Sequence, residues 1–255
     1  MPIAVIALFS FNAGKHAAQL TGFSLQWYSR TLANPFVIEA LKTSLIVALS
    51  SAVLATIFGT LAAVALQGIG GRLRLLYDAL VYMAVMVPGI VIGISTLIAL
   101  VLVFDGINPV LASLFGGDAP PQLGLGKGTL IAAHGLFTMA LVVVIVRARL
   151  QGMDRTLLEA AADLGAPPMR SFVQITLPQI APAVLAGFLL AFTFSFDDFI
   201  IAFFVAGSET TLPIYVFSSI RRGVTPEINV IGTLVLAASL VSLTIAQAIM
   251  RRRSR

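Results

Sequence analysis

Long apolar runs, separated by short polar or glycine- and proline-rich passages, make up most of the chain. Residues 41–66, 80–104, 129–146, 183–206 and 230–250 are almost uninterrupted aliphatic and aromatic stretches. About 20 apolar residues, rising 1.5 Å each, cross a hydrocarbon layer of about 30 Å, so each run predicts a membrane-spanning helix. A sixth run, residues 1–9, is too short to cross alone and lacks the basic flank and cleavage site of a signal peptide. It is expected to be the outer end of a first span that begins upstream. In 41–66 the small residues Ala48, Ser50, Ser51, Ala52, Ala55, Gly59, Ala62 and Ala63 permit close helix packing. Pro88-Gly89 interrupts 80–104, removes a helical hydrogen bond and predicts a kink or a break, which suits a packing accommodation as well as a pathway wall.

The polar passages predict what joins the spans. Residues 11–36 are expected on the outer surface, with Trp27 and Tyr28 at the membrane interface, and residues 105–127 and 207–229 as outer loops. Within the last of these, 212–224 has the pattern of an amphipathic re-entrant or interfacial helix. Residues 154–182 form the most elaborate connection. Thr156 with Glu159 predicts a capping box, with Asp154 as a rival N-cap. Leu157, Leu158, Ala161, Ala162 and Leu164 then give an apolar stripe, and Gly165 a left-handed end. Pro167 and Pro168 suit the start of a second helix, with Phe172, Ile175 and Leu177 near one face, which Pro178 is expected to break. The product is a helix-turn-helix outside the bilayer.

Composition makes the membrane assignment firm: 58% of the 255 residues are hydrophobic, 11% are charged, and the mean hydropathy is +1.00. An all-α polytopic membrane protein follows, one domain over 1–255 with about six transmembrane helices. The net charge of +5 comes from short basic clusters beside apolar runs, which argues for membrane topology and against nucleic acid as a partner. Arg72 and Arg74, Arg147 and Arg149, and Arg251, Arg252, Arg253 and Arg255 mark cytoplasmic ends, placing the C-terminus inside. No cysteine is present and only two histidines are, so no metal site is expected and thiol chemistry is excluded. His134 is expected to be hydrogen-bonded packing rather than a proton relay. Walker A, G-x-S-x-G and H-E-x-x-H patterns are absent, so no catalytic residue is assigned.

Asp197 and Asp198 are the only carboxylates deep in an apolar run. An unpaired charge at the bilayer centre costs at least about 2.5 kcal/mol, so each needs a partner or a pathway. Neighbours on one helix diverge by about 100°, which excludes a paired aspartyl enzyme and predicts one aspartate on a translocation path and the other at a helix contact.

At the 154–182 connection the sequence resembles the membrane subunits of bacterial ABC importers. Glu159-Ala160-Ala161, Gly165, Ile175 and Leu177-Pro178 match that family's cytoplasmic signature loop at all seven positions. Trp27-Tyr28, Ser195-Phe196-Asp197-Asp198-Phe199 and the stretch from Leu212-Pro213 to Asn229 look like the spermidine/putrescine permeases. The resemblance implies a type I importer permease fold in the bacterial inner membrane, with the signature loop as the coupling helix that docks on a cytoplasmic ABC ATPase dimer. It further implies a second, different but similar permease chain and an extracytoplasmic solute-binding protein. The chain would bind no cofactor, ATP and magnesium being used by the ATPase. Ser195, Asp197 and Asp198 are the candidate path residues for a cationic polyamine. Thiamine, ferric ion or phosphonate as solute, or an ion-coupled secondary carrier, are the alternatives.

Overall fold

The computed structural model describes residues 2–14, 19–116, 120–154, 156–223 and 225–253, with residues 2 and 241–253 described by backbone alone. All its regular elements among the described residues are helices. Two compact units are resolved, one formed by Met1–Lys42 with Leu212–Arg255 and the other by Thr43–Thr211.

In the first unit, α1 (Pro2–Phe9) and α2 (Gln26–Ala33) pack on α12 (Pro226–Arg253), and α11 (Leu212–Arg222) lies beside the same helix. Between α1 and α2 the buried Asn12 organises the turn: its Oδ1 accepts from the Thr21 amide at 3.0 Å and its Nδ2 donates to the Gln19 carbonyl at 2.8 Å. The first turn of α3 is tied to the same unit, because Asn34 Nδ2 donates to Glu227 Oε1 at 2.7 Å and to the Tyr215 hydroxyl at 3.2 Å. Helix α11 confirms the amphipathic helix expected over 212–224, of which Val224 lies outside the described residues.

The second unit holds the rest of α3 (Pro35–Ala65), α4 (Gly71–Met86), α5 (Gly89–Phe115), α6 (Lys127–Gln151), α7 (Thr156–Asp163), α8 (Pro168–Ser171), α9 (Leu177–Asp197) and α10 (Ile200–Val205). Among the described residues four helical runs are long and apolar enough to cross a membrane: Pro35–Ala65, Gly89–Phe115, Lys127–Gln151 and Pro168–Asp197. Pro226–Leu240 is a shorter apolar part of α12.

Lipid is as apolar as a leucine side chain, so helices in it associate by close contact and polar bonds, not by hydrophobic expulsion. The centre of this unit shows both. Val142 on α6 is fully buried, and a Cβ on Gly187 of α9 would lie only 3.4 Å from its Cγ1. On Gly59 of α3 a Cβ would stand 2.9 Å from Val142 Cβ, closer than real side chains come, so glycine is what lets α3 reach α6. Ala52, Ala55, Ala63, Leu66, Val143, Val146, Leu150, Met153, Ile180 and Ala191 complete this core.

Of the two outcomes expected at Pro88-Gly89 the chain takes the break: α4 stops at Met86, Val87 and Pro88 take extended backbone, and α5 starts at Gly89. Three expectations need correction. Residues 105–115 are not a loop but the end of α5; the Asn108 side chain bonds both the amide (2.7 Å) and the carbonyl (3.1 Å) of Leu123, anchoring this last stretch despite Pro109. Pro178 does not break a helix. A π-helical turn over Phe172–Thr176 joins α8 to α9, placing Pro178 in the first turn of α9, where its missing donor costs least. Finally, the run 183–206 is not one helix, since α9 ends at Asp197 and α10 resumes at Ile200.

Candidate functional site

The signature loop is built by local backbone chemistry. The carboxylate of Asp154 accepts the Thr156 amide at 2.9 Å, so Asp154 starts the helix and the expected Thr156–Glu159 capping box is replaced by its rival. That amide, and secondly the Thr156 hydroxyl, hold the Asp154 carboxyl below the usual carboxylate range. Helix α7 ends as expected at Gly165 with φ +72°. The Ala166 amide reaches back to the Ala161 carbonyl and the Gly165 amide to the Ala162 carbonyl, each at 2.9 Å, a Schellman closure. Pro167, extended at ψ 148°, then turns the chain into α8.

Of the seven signature residues, Ala161 is buried and Ile175 half-buried, while Glu159, Ala160, Gly165, Leu177 and Pro178 are exposed. Leu158 and Met153 anchor this region to the core. Leu164 is 87% exposed and Met169 73%, apolar side chains standing clear of the protein. Arg149 Nε, on α6, donates to the Gln179 carbonyl at 3.1 Å and so ties the C-terminal end of α6 to the start of α9. Arg147, on the same helix, makes a two-point ion pair with Asp78 of α4.

The second locus lies at the break between α9 and α10. Asp198 takes extended backbone (φ −70°, ψ 120°), and its Oδ2 accepts the Ala202 amide at 3.0 Å, capping α10. The same oxygen lies 3.4 Å from His134 Nε2. On its other side the His134 ring meets Ser195 Oγ through Nδ1 at 2.8 Å, and Ser195 meets Ser51 Oγ of α3, also at 2.8 Å. His134, Ser195 and Ser51 are buried, and the Asp198 side chain is 20% exposed. Asp197, by contrast, is exposed. The structure thus brings Ser195 and Asp198 together in one internal network and leaves Asp197 outside it. His134 is buried and hydrogen-bonded through Nδ1, as expected. Ser51 was visible only as one of several small packing residues, and nothing in the sequence pairs it with Ser195, 144 positions away. Among the described residues no group of three or more His, Cys, Asp or Glu is placed to hold a metal.

A family model for the inner membrane component of binding-protein-dependent transport systems matches residues 55–255. The chain is 40% identical over 240 residues to the putrescine transport system permease protein PotI of Escherichia coli, covering 93% of this chain and 81% of that protein. To the spermidine/putrescine transport system permease protein PotC of the same species it is 36% identical over 256 residues, covering 100% and 90%. A solved bacterial ABC transporter involved in import of the acidic polysaccharide alginate matches 100% of this chain and 89% of its own with a TM-score of 0.74 at 15% identity, which speaks for the fold alone.

Proposed function

Because this chain belongs to the family of binding-protein-dependent transport system inner membrane components and is a permease subunit of an ABC importer, we propose that the solute it passes is a polyamine such as putrescine or spermidine. The near full-length likeness to the putrescine and spermidine/putrescine permeases carries this reading. The site adds chemical support. Polyammonium ions need hydrogen-bond acceptors once water is stripped from them, and an exposed carboxylate at a break between apolar helices supplies one. In this reading Asp197 faces the path, while Asp198 and Ser195 hold the break in shape beside it.

The working complex contains a solute-binding protein on the outer face, a second and different permease chain, and a cytoplasmic ATPase dimer. The ATPase binds ATP and magnesium; this chain binds no cofactor and hydrolyses nothing. Glu159, Ala160, Gly165 and the exposed Leu164 and Met169 form the docking face of the coupling helix. Nucleotide-driven closure of the ATPase dimer moves α7, and the π-turn and α9 pass that movement to the Asp197–Asp198 break. The arginines after Met250 stay in the cytoplasm. Purification of the native complex through a tag on this chain, followed by mass spectrometry of its subunits and bound solute, tests the proposal. An ATPase, a second permease and a polyamine are expected; thiamine, a phosphonate or ferric ion in place of the polyamine would overturn the assignment of solute.

A further inference from the structure

The hydrogen bonds around His134 run in one direction. The Val47 carbonyl can only accept, so its 2.7 Å contact with Ser51 Oγ takes the single Ser51 hydroxyl proton. Ser51 therefore accepts in its contact with Ser195, which commits the only Ser195 proton. Ser195 in turn accepts from His134, and Nδ1 must carry a hydrogen. In a neutral ring Nε2 then presents a bare lone pair. It is buried without a hydrogen-bond partner and points to Asp198 Oδ2 at 3.4 Å. An ionised carboxylate is also an acceptor only. Two acceptors facing each other inside an apolar span, with no proton between them, is an arrangement that a low dielectric strongly disfavours.

We propose that His134 Nε2 and Asp198 Oδ2 form a proton site, sharing one proton that makes the pair neutral overall and clamps the α9–α10 break. His134 is then a positioning residue for transport. By neutralising Asp198 it leaves Asp197 as the carboxylate of the break that is offered to solute, and this last consequence rests on the permease reading given above. Among the described residues, the helices packed on α6 bring little else that titrates. Helix α10 and residues 43–65 of α3 carry no charge, α9 carries Asp197 alone and α5 Asp105 alone. Helix α4 brings Arg72, Arg74, Tyr77, Tyr82 and Asp78, the last held by Arg147. On α6 itself Lys127 is paired with Glu209, and Arg149 is bonded to the Gln179 carbonyl. The proton is therefore the cation that fits.

The test uses the whole complex in proteoliposomes, in a His16→Gln background that removes the chain's other histidine. Putrescine uptake and ATP hydrolysis are followed from about pH 6 to about pH 9 for wild type, His134→Gln and His134→Leu. Glutamine places an amide N–H where Nε2–H would stand and does not titrate. As the shared proton leaves at the alkaline end, wild-type rates fall and the His134→Gln to wild-type ratio rises at least about threefold, whereas leucine, which supplies no donor, leaves under about a tenth of uptake at every pH. A purely space-filling histidine would give a His134→Gln ratio that is flat with pH, and that result overturns the proposal. So does wild-type uptake by His134→Leu; should the leucine variant not assemble, the glutamine ratio decides. If wild type transports no putrescine, the solute reading has failed, and the ratio for ATP hydrolysis still reports on the proton site.

Discussion

Replacing Gly165 isolates the coupling loop from everything else. The residue sits at φ +72°, and a Cβ built on it meets no atom within 4 Å. Gly165→Ala therefore introduces no clash, and its whole effect is the cost of holding an L-residue in left-handed backbone. That cost is about 1–2 kcal/mol, which lowers the population of the closed α7–α8 turn by a factor of about 5 to 30. Valine, branched at Cβ, is worse, whereas asparagine tolerates this region and serves as the conservative control. The assay is co-purification of the ATPase with membrane-inserted permease, alongside ATP-driven uptake. Retention and uptake should fall in the order Gly, Asn, Ala, Val at equal membrane insertion. Wild-type coupling in Gly165→Val would show that the loop does not need this turn to dock.

At the break, Asp197→Asn should raise the KM for polyamine uptake and leave complex assembly unchanged. Asp198→Ala removes an acceptor from the Ala202 amide, a hydrogen bond to a charged group worth about 1.5–3 kcal/mol, and should lower thermal stability in detergent. Gly207→Ala combines φ +60° with a Cβ only 2.5 Å from the Leu125 carbonyl oxygen; lower expression and melting temperature are expected, and unchanged values would contradict this close approach of Gly207 to Leu125. For Asp154 the folded carboxyl is depressed by the Thr156 amide, so its stabilisation of α7 is present above the ordinary carboxylate value and lost as pH falls through the folded one. Hydrogen-exchange protection of α7 in the isolated permease should drop below about pH 4 in wild type and stay level in Asp154→Asn, which keeps a neutral acceptor.

The spans and the coupling loop are legible in the chain because their determinants are local. Length and hydropathy alone mark 41–66 and 129–146, and Gly165 with Pro167-Pro168 fixes a turn whatever surrounds it. The misread places depend on partners remote in sequence. Nothing near Phe199 announces a break, since residues 183–206 hold neither glycine nor proline at that point; the break rests on Asp198 capping α10 and facing His134, 64 positions earlier by residue number. Asp105, Gly106 and Pro109 look like a loop until Asn108 finds Leu123. Pro178 looks like a terminator because a one-turn change of helical register cannot be inferred from the neighbouring apolar residues. That Asp198, and not Asp197, joins the internal network with His134 likewise required the fold.

Uptake of labelled putrescine into proteoliposomes holding this permease, its partner chains and the binding protein decides between an ATP-driven importer and an ion-coupled carrier. Accumulation should require ATP and loaded binding protein, persist when an uncoupler collapses the proton gradient, and disappear with an ATPase unable to hydrolyse nucleotide. Accumulation driven by a proton gradient without ATP would contradict the account.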